Sequence, residues 1–259
     1  MGDDIARPLR GRRALVTGAS RGIGAAIARK LAGQGADIVL AARTVGSIEA
    51  LAEELGDTGV RALAVPTDMT QRDALRALID RVGEEFGGLE ILVNNAGVLP
   101  PASRAENLAW EAWDATLGLN LSAPWFLACR AKELMGRGGV VVNNASTAAY
   151  FPSRGLVAYN VSKAAMVMLT RVLALEWARE GVRVVGVAPG KVDTELVAPI
   201  VAWTEKHGMP LNPMRRIGTD GEVADLVAFL VSDQAGYLTG VTVPIDGGEL
   251  LTAGSEPGR

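Results

Sequence analysis

Short apolar runs recur along the chain at intervals that leave room for one helix between them. Arg13 to Thr17 is built on Ala14-Leu15-Val16, and Asp37 to Ala41 on Ile38-Val39-Leu40. Arg61 to Pro66, Ile91 to Val93, Val140 to Asn143, Val182 to Val187 and Val241 to Val243 continue the series. Runs this short and this uniformly apolar predict strands buried on both faces. Helical periodicity fills the gaps: Ala25 to Gln34, Ile48 to Leu55, Gln71 to Phe86, Leu108 to Met135 with a bend around Pro124, and Tyr159 to about Arg179. Thr219 with Glu222 predicts a capping box that opens a helix running to about Leu230. Strands alternating with helices in this way predict an α/β fold, a doubly wound parallel sheet of about seven strands with helices on both faces.

The pattern also sets boundaries. Residues 1–11 read as a loose arm, 12–250 as one domain and 251–259 as a tail. Residues 191–214 break the rhythm with Pro199, Gly208, Pro210 and Pro213 around Trp203, and are expected to form a lid over a cleft. The chain has 259 residues, 49% hydrophobic and 21% charged, enough to bury a real core. A net charge of −3 gives no electrostatic reason to expect nucleic acid or an anionic membrane as partner. No apolar run is long enough to span a bilayer, and the acidic start Met1-Gly2-Asp3-Asp4 lacks a signal core. One cysteine, Cys129, cannot form an internal disulfide, which fits a cytoplasmic location. The single histidine, His207, excludes a multi-histidine metal site, and no metal is expected.

Chemistry gathers at the carboxyl ends of the predicted strands, where such sheets hold ligands. After the first strand comes Gly18-Ala19-Ser20-Arg21-Gly22-Ile23-Gly24 and then a helix, a setting for a diphosphate. A plain strand–helix turn is the alternative. After the second strand stands Ala42-Arg43, where an NAD site usually carries Asp or Glu. Arg21 and Arg43 without a carboxylate suit a 2′-phosphate and point to NADP(H), the alternative for Arg43 being a solvated loop charge. Tyr159 and Lys163, four apart, share a helix face, and Ser146 follows the fifth strand. An ammonium beside a phenol favours the phenolate; bringing a Tyr from about 10 to about 7 takes about 4 kcal/mol. That would make Tyr159 a general acid and base, with the Ser146 hydroxyl holding the reacting oxygen.

Together these pieces resemble the short-chain dehydrogenase/reductase family, from about Gly11 to Gly248. Thr17-Gly18-x-x-x-Gly22-x-Gly24, Asp68, Asn94-Asn95-Ala96-Gly97, Asn120, Ser146, Tyr159-x-x-x-Lys163 and Pro189-Gly190 with Thr194 stand in the family's order. The resemblance implies a Rossmann-type fold and an oxidoreductase that interconverts a ketone and a secondary alcohol by hydride transfer. It implies Tyr159 as proton donor and acceptor, Lys163 lowering its pKa, Ser146 holding the substrate oxygen and Asn120 anchoring a relay water. Gly18, Ser20, Arg21, Gly22, Ile23, Gly24, Arg43, Ala96 and Gly97 would line the cofactor cleft. Asp68 and Met69 would meet the adenine, Asn95 the adenosine ribose, and Pro189, Gly190, Val192 and Thr194 the carboxamide end. Asn94 would brace the strand ends.

The apolar circumference of Ala164 to Trp177 fits the family's habit of forming tetramers, or dimers, through this helix; the alternative is a helix between sheet and lid. The general look is closest to the 3-oxoacyl-carrier-protein reductase-like branch. Glu180 stands where a second carrier-docking arginine would join Arg137, which favours a small or medium carbonyl compound over a carrier-bound or CoA-bound one. Its wall would be Val98 to Ser103, Thr147 to Leu156 and the lid. A catalytically silent nucleotide-binding regulator is the competing class, and such proteins usually lose the tyrosine, lysine or serine present here.

Overall fold

The structure is a computed structural model that describes residues 7–252 apart from 196, 199–200, 202–205 and 207–211. The expectations for His207, Trp203, most of the arm and most of the tail lie outside the described residues, as does much of the lid.

Seven strands form one parallel sheet: β1 (Arg13–Thr17), β2 (Asp37–Ala42), β3 (Ala62–Pro66), β4 (Ile91–Asn94), β5 (Val140–Asn144), β6 (Arg183–Pro189) and β7 (Thr242–Ile245). Their spatial order is β3-β2-β1-β4-β5-β6-β7, so the order reverses between β1 and β4. A crevice at the carboxyl ends of those two strands is the general ligand position in such a sheet. The helices are α1 (Gly22–Gly33), α2 (Val45–Gly56), α3 (Arg72–Phe86), α4 (Trp110–Leu117), α5 (Ala123–Lys132), α6 (Val157–Trp177), α7 (Asp220–Val231) and α8 (Glu249–Thr252).

Side-chain alternation sorts the core into two layers. Val16, Leu40, Val93, Val142 and Val187 pack with α1, α2 and α7 on one face. Leu15, Val39, Leu92, Val141 and Val184 pack with α3, α5 and α6 on the other. Burial on both sides is why the strands lack polar alternation. The Thr219–Glu222 capping box opens α7 as expected. Helices α1 and α2 each begin three residues earlier than periodicity suggests.

The long helix, expected to bend around Pro124, runs through a π turn, Gly118–Ser122, just before that proline, in which the Ala123 N–H reaches back to the Gly118 carbonyl. Pro124, next in line, has no N–H to continue that ladder, and sits harmlessly in the first turn of α5. The turn carries Asn120, which is fully buried.

Candidate active site

The turn after β1 is shaped by backbone that only glycine adopts easily. Gly18 has φ +66 and Gly22 has φ +52. A Cβ on Gly24 would lie 2.3 Å from the Gly18 carbonyl oxygen and 2.5 Å from Asn95 Nδ2. Helix α1 then starts at Gly22 with no side-chain cap and no acidic residue in its first turn. Its leading N–H groups therefore face the turn unneutralised, as an anion would require. This cradle fits the diphosphate of a dinucleotide. Gly18, Ser20, Arg21, Gly22, Ile23 and Gly24 form the turn as the sequence suggests.

Arg21 is exposed and pairs with Glu195 at 2.5 Å. Arg43, also exposed, stands near Asp68. Two hydrogen bonds from Thr70, N–H and hydroxyl, and then the Arg43 charge hold the Asp68 carboxyl below the usual range. The Met69 side chain is buried in the core with Val39 and Leu75.

Asparagines lace the strand ends together. Thr17 Oγ1 donates to the Val93 carbonyl and accepts from the N–H groups of Asn95 and Ala96. Asn95 Nδ2 donates to the carbonyls of Thr17 and Gly18, and its Oδ1 accepts from Asn144 Nδ2 at 2.9 Å. Both ends of the Asn95 amide are thus engaged as a brace between strand ends. Asn94 braces as expected, donating to Asn143 Oδ1 at 3.0 Å, while Asn143 donates to Thr170 Oγ1 at 2.9 Å. Asn143, Asn144 and Thr170 escaped the sequence reading. Their signal is two asparagines closing an otherwise apolar strand.

The catalytic candidates converge beside this lattice. Ser146 caps the 3-10 turn Thr147–Ala149, its Oγ accepting from Ala148 N–H at 3.1 Å. Its hydroxyl lies close enough to the phenol of Tyr159 to draw the phenol's pKa down. Lys163 is buried and donates to the Asn144 carbonyl at 2.7 Å. Burial depresses its pKa to about 8. A Cβ on Gly97 would lie 3.2 Å from Asn120 Oδ1 and 3.7 Å from Lys163 Nζ, so these two groups border one small space that glycine leaves open. The Asn120 amide is held from two sides, by Val98 N–H and carbonyl at 2.8 and 2.9 Å and by Ser162 Oγ at 3.2 Å.

Burial raises the Tyr159 pKa, with the Ser146 hydroxyl pulling it partly back. Lys163 Nζ lies 5.7 Å from the ring centroid and donates to the Asn144 carbonyl.

At the far end, Pro189 closes β6 and Gly190 follows. A Cβ on Gly190 would sit 2.9 Å from both Asp246 Cα and Glu249 Oε2. Glu249 pairs with Lys191 and accepts from Thr147 Oγ1 at 3.2 Å. Val192 is buried and bridges to Gly218. The methyl of Thr194 would lie 3.3 Å from a Cβ on Gly22, so the start of the lid segment rests on the glycine turn.

A doubly wound sheet, a glycine cradle at its switch point and a Ser–Tyr–Lys cluster at the neighbouring strand end define the architecture of a nicotinamide-dependent oxidoreductase. Residues 18–249 match the family model described as enoyl-(acyl carrier protein) reductase. The chain is 38% identical to cis-4-hydroxycyclohexanecarboxylate dehydrogenase of Sinomonas cyclohexanicum, covering 92% of this chain and 96% of the relative. It is 41% identical to D-threitol dehydrogenase of Mycolicibacterium smegmatis, covering 93% of each. A short-chain dehydrogenase from Burkholderia cenocepacia in complex with NADP superimposes with a TM-score of 0.88 at 37% identity, covering 93% of this chain and 99% of that one. The chain belongs to the short-chain dehydrogenase/reductase family. Among the described residues no helix is long and apolar enough to cross a membrane.

Proposed function

We propose that the chain interconverts a ketone and a secondary alcohol with NADP(H), Tyr159 passing the proton. The observation that carries this reading is the convergence of Ser146, at the end of β5, on the Tyr159 phenol, with the buried Lys163 one helical turn behind and donating to the Asn144 carbonyl. When bound, the nicotinamide supplies or accepts the hydride. In reduction, Tyr159 gives its proton to the carbonyl oxygen while Ser146 donates a hydrogen bond to the same oxygen; in oxidation Tyr159 takes the hydroxyl proton. Lys163 orients the nicotinamide ribose, and the space beside Gly97, between Asn120 and Lys163, holds the relay water.

NADP rather than NAD is supported by Arg21 and Arg43, by the absence of a carboxylate after β2, and by relatives seen with NADP and NADPH. Dehydrogenation of a hydroxycyclohexanecarboxylate and of threitol by relatives supports a small alcohol or carbonyl substrate. A 3-oxoacyl carrier or CoA substrate fits less well, because Glu180 places a carboxylate at the expected docking point, paired with Lys132. The stripe Val161, Met168, Val172 and Leu175, exposed on α6, supports a tetramer or dimer. We place the enzyme in the cytoplasm.

The test is NADPH consumption across a panel of ketones, aldehydes and oxoacyl esters, repeated with Tyr159→Phe. Turnover that the substitution removes supports the reading. Tight NADPH binding without turnover of any panel member would favour a silent regulator.

A further inference from the structure

Asn160 follows the catalytic tyrosine and has no part in the chemistry described so far. Its Nδ2 donates to two carbonyls, Ala148 at 2.7 Å and Phe151 at 2.9 Å. Its Oδ1 accepts from the Ser153 N–H at 3.4 Å. One amide thus grips the segment 148–153 at three points. That segment leaves directly from Ser146 and returns to α6 two residues before Tyr159, so it flanks the reacting hydroxyls along the chain on both sides.

The grip belongs to a closed circuit. Beyond Ser153, the Gly155 carbonyl accepts from Ser103 N–H at 2.9 Å. Gly155 has φ +81, and a Cβ there would lie 3.1 Å from Ala102 Cβ, so the two loops meet at their backbones. The 98–103 loop is tied at its other end to Asn120 through Val98. Asn120 donates to Ser162 Oγ, and Ser162 donates to the Tyr159 carbonyl at 2.7 Å. The circuit returns to the first turn of α6, where it began.

We infer that Asn160 is the positioning residue of the substrate wall, fixing 148–153 relative to Tyr159 and thereby setting substrate affinity and selectivity. This rests on the oxidoreductase reading and deepens it. The chemistry is specific to the amide: two donor hydrogens meet two carbonyls from one nitrogen. Asp, of the same shape, has no donor and sets a negative charge against both oxygens. Ser keeps one donor.

The experiment compares wild type with Asn160→Asp and Asn160→Ser, using two substrates of different size from the panel. Asn160→Asp is expected to raise KM, or to change the kcat/KM ratio between the two substrates, by about tenfold, equal to about 1.4 kcal/mol. Asn160→Ser should fall between. The NADPH dissociation constant should stay within about twofold and the apparent pKa values of the pH–rate profile should not move. A fall in kcat with unchanged KM and selectivity, or a moved pH profile, would overturn the inference. Amide hydrogen exchange gives a readout independent of turnover. Protection at Ser153 should fall in Asn160→Asp while that of α6 beyond Lys163 holds; unchanged protection at Ser153 overturns the assignment even where no substrate is known. Failure of wild type to turn over any substrate would instead count against the oxidoreductase reading.

Discussion

Lys163 Nζ and the Asn144 carbonyl oxygen meet at 2.7 Å, which ties the catalytic helix to the end of β5. A buried ammonium is thus satisfied by a neutral acceptor, and its pKa falls to about 8. Between about 8 and about 10.5 the unfolded chain binds more protons at this residue than the folded one, so this contribution to stability rises with pH. Tyr159, with its raised pKa, acts in the opposite sense only at higher pH. Urea unfolding of wild type and Lys163→Met at pH 8 and pH 9.5 should show wild type gaining about 2 kcal/mol relative to the variant. Parallel pH profiles would mean that the ammonium is not desolvated as the structure has it.

Tyr159→Phe removes the proton carrier and leaves the ring. Turnover should drop by about 10²- to 10⁴-fold, with NADPH affinity within about twofold. Stopped-flow reduction of a panel substrate and calorimetric titration separate the two. Loss of nucleotide binding to the same degree would assign Tyr159 a binding role only.

Arg43→Ala should weaken NADPH binding by about tenfold or more and leave NADH binding nearly unchanged, since a charge-assisted contact to phosphate contributes about 1.5–3 kcal/mol. Glu195 competes for Arg21, so Glu195→Gln should tighten NADPH by at most about fivefold, the scale of an exposed pair. Parallel titrations with both nucleotides decide. An equal effect of Arg43→Ala on NADH and NADPH would remove the cofactor assignment.

Gly24→Ala places a methyl 2.3 Å from the Gly18 carbonyl oxygen, closer than backbone can yield without moving the turn. Overpacking of this kind costs about 1–3 kcal/mol. The melting temperature should fall and NADPH should no longer raise it. A variant that melts like wild type and still responds to NADPH would show the cradle to be more compliant than it looks.

Leu175 is 82% exposed at the end of the apolar stripe on α6. Leu175→Glu should lower the assembly state measured by light scattering while each subunit keeps its NADPH-induced gain in melting temperature. A wild-type chain that runs as a monomer would assign that stripe another partner.

The strands were legible because short, uniformly apolar runs spaced one helix apart have few alternatives. The starts of α1 and α2 were not, because Gly22, Val45 and Gly46 carry little helical preference and tertiary contact decides there. Pro124 drew attention to the long helix, but the irregularity lies in the π turn before it, whose Asn120 bonds to Val98, a partner distant in sequence. The glycine cradle and the Ser146, Tyr159 and Lys163 cluster could be read from spacing. The burial of the Tyr159 phenol could not, because it depends on packing that spacing leaves open. Nor does spacing show that Asn144 at the end of β5 donates to Asn95 at the end of β4, a contact set by the pairing of the two strands.

The Thr17 hydroxyl joins β1 to the β4 turn through three backbone groups, and the Asn95–Asn144 amide pair extends the tie to β5. The carbonyl of that same Asn144 holds Lys163. The glycine turn and Lys163 are therefore the two ends of one continuous run of hydrogen bonds laid across the ends of β1, β4 and β5.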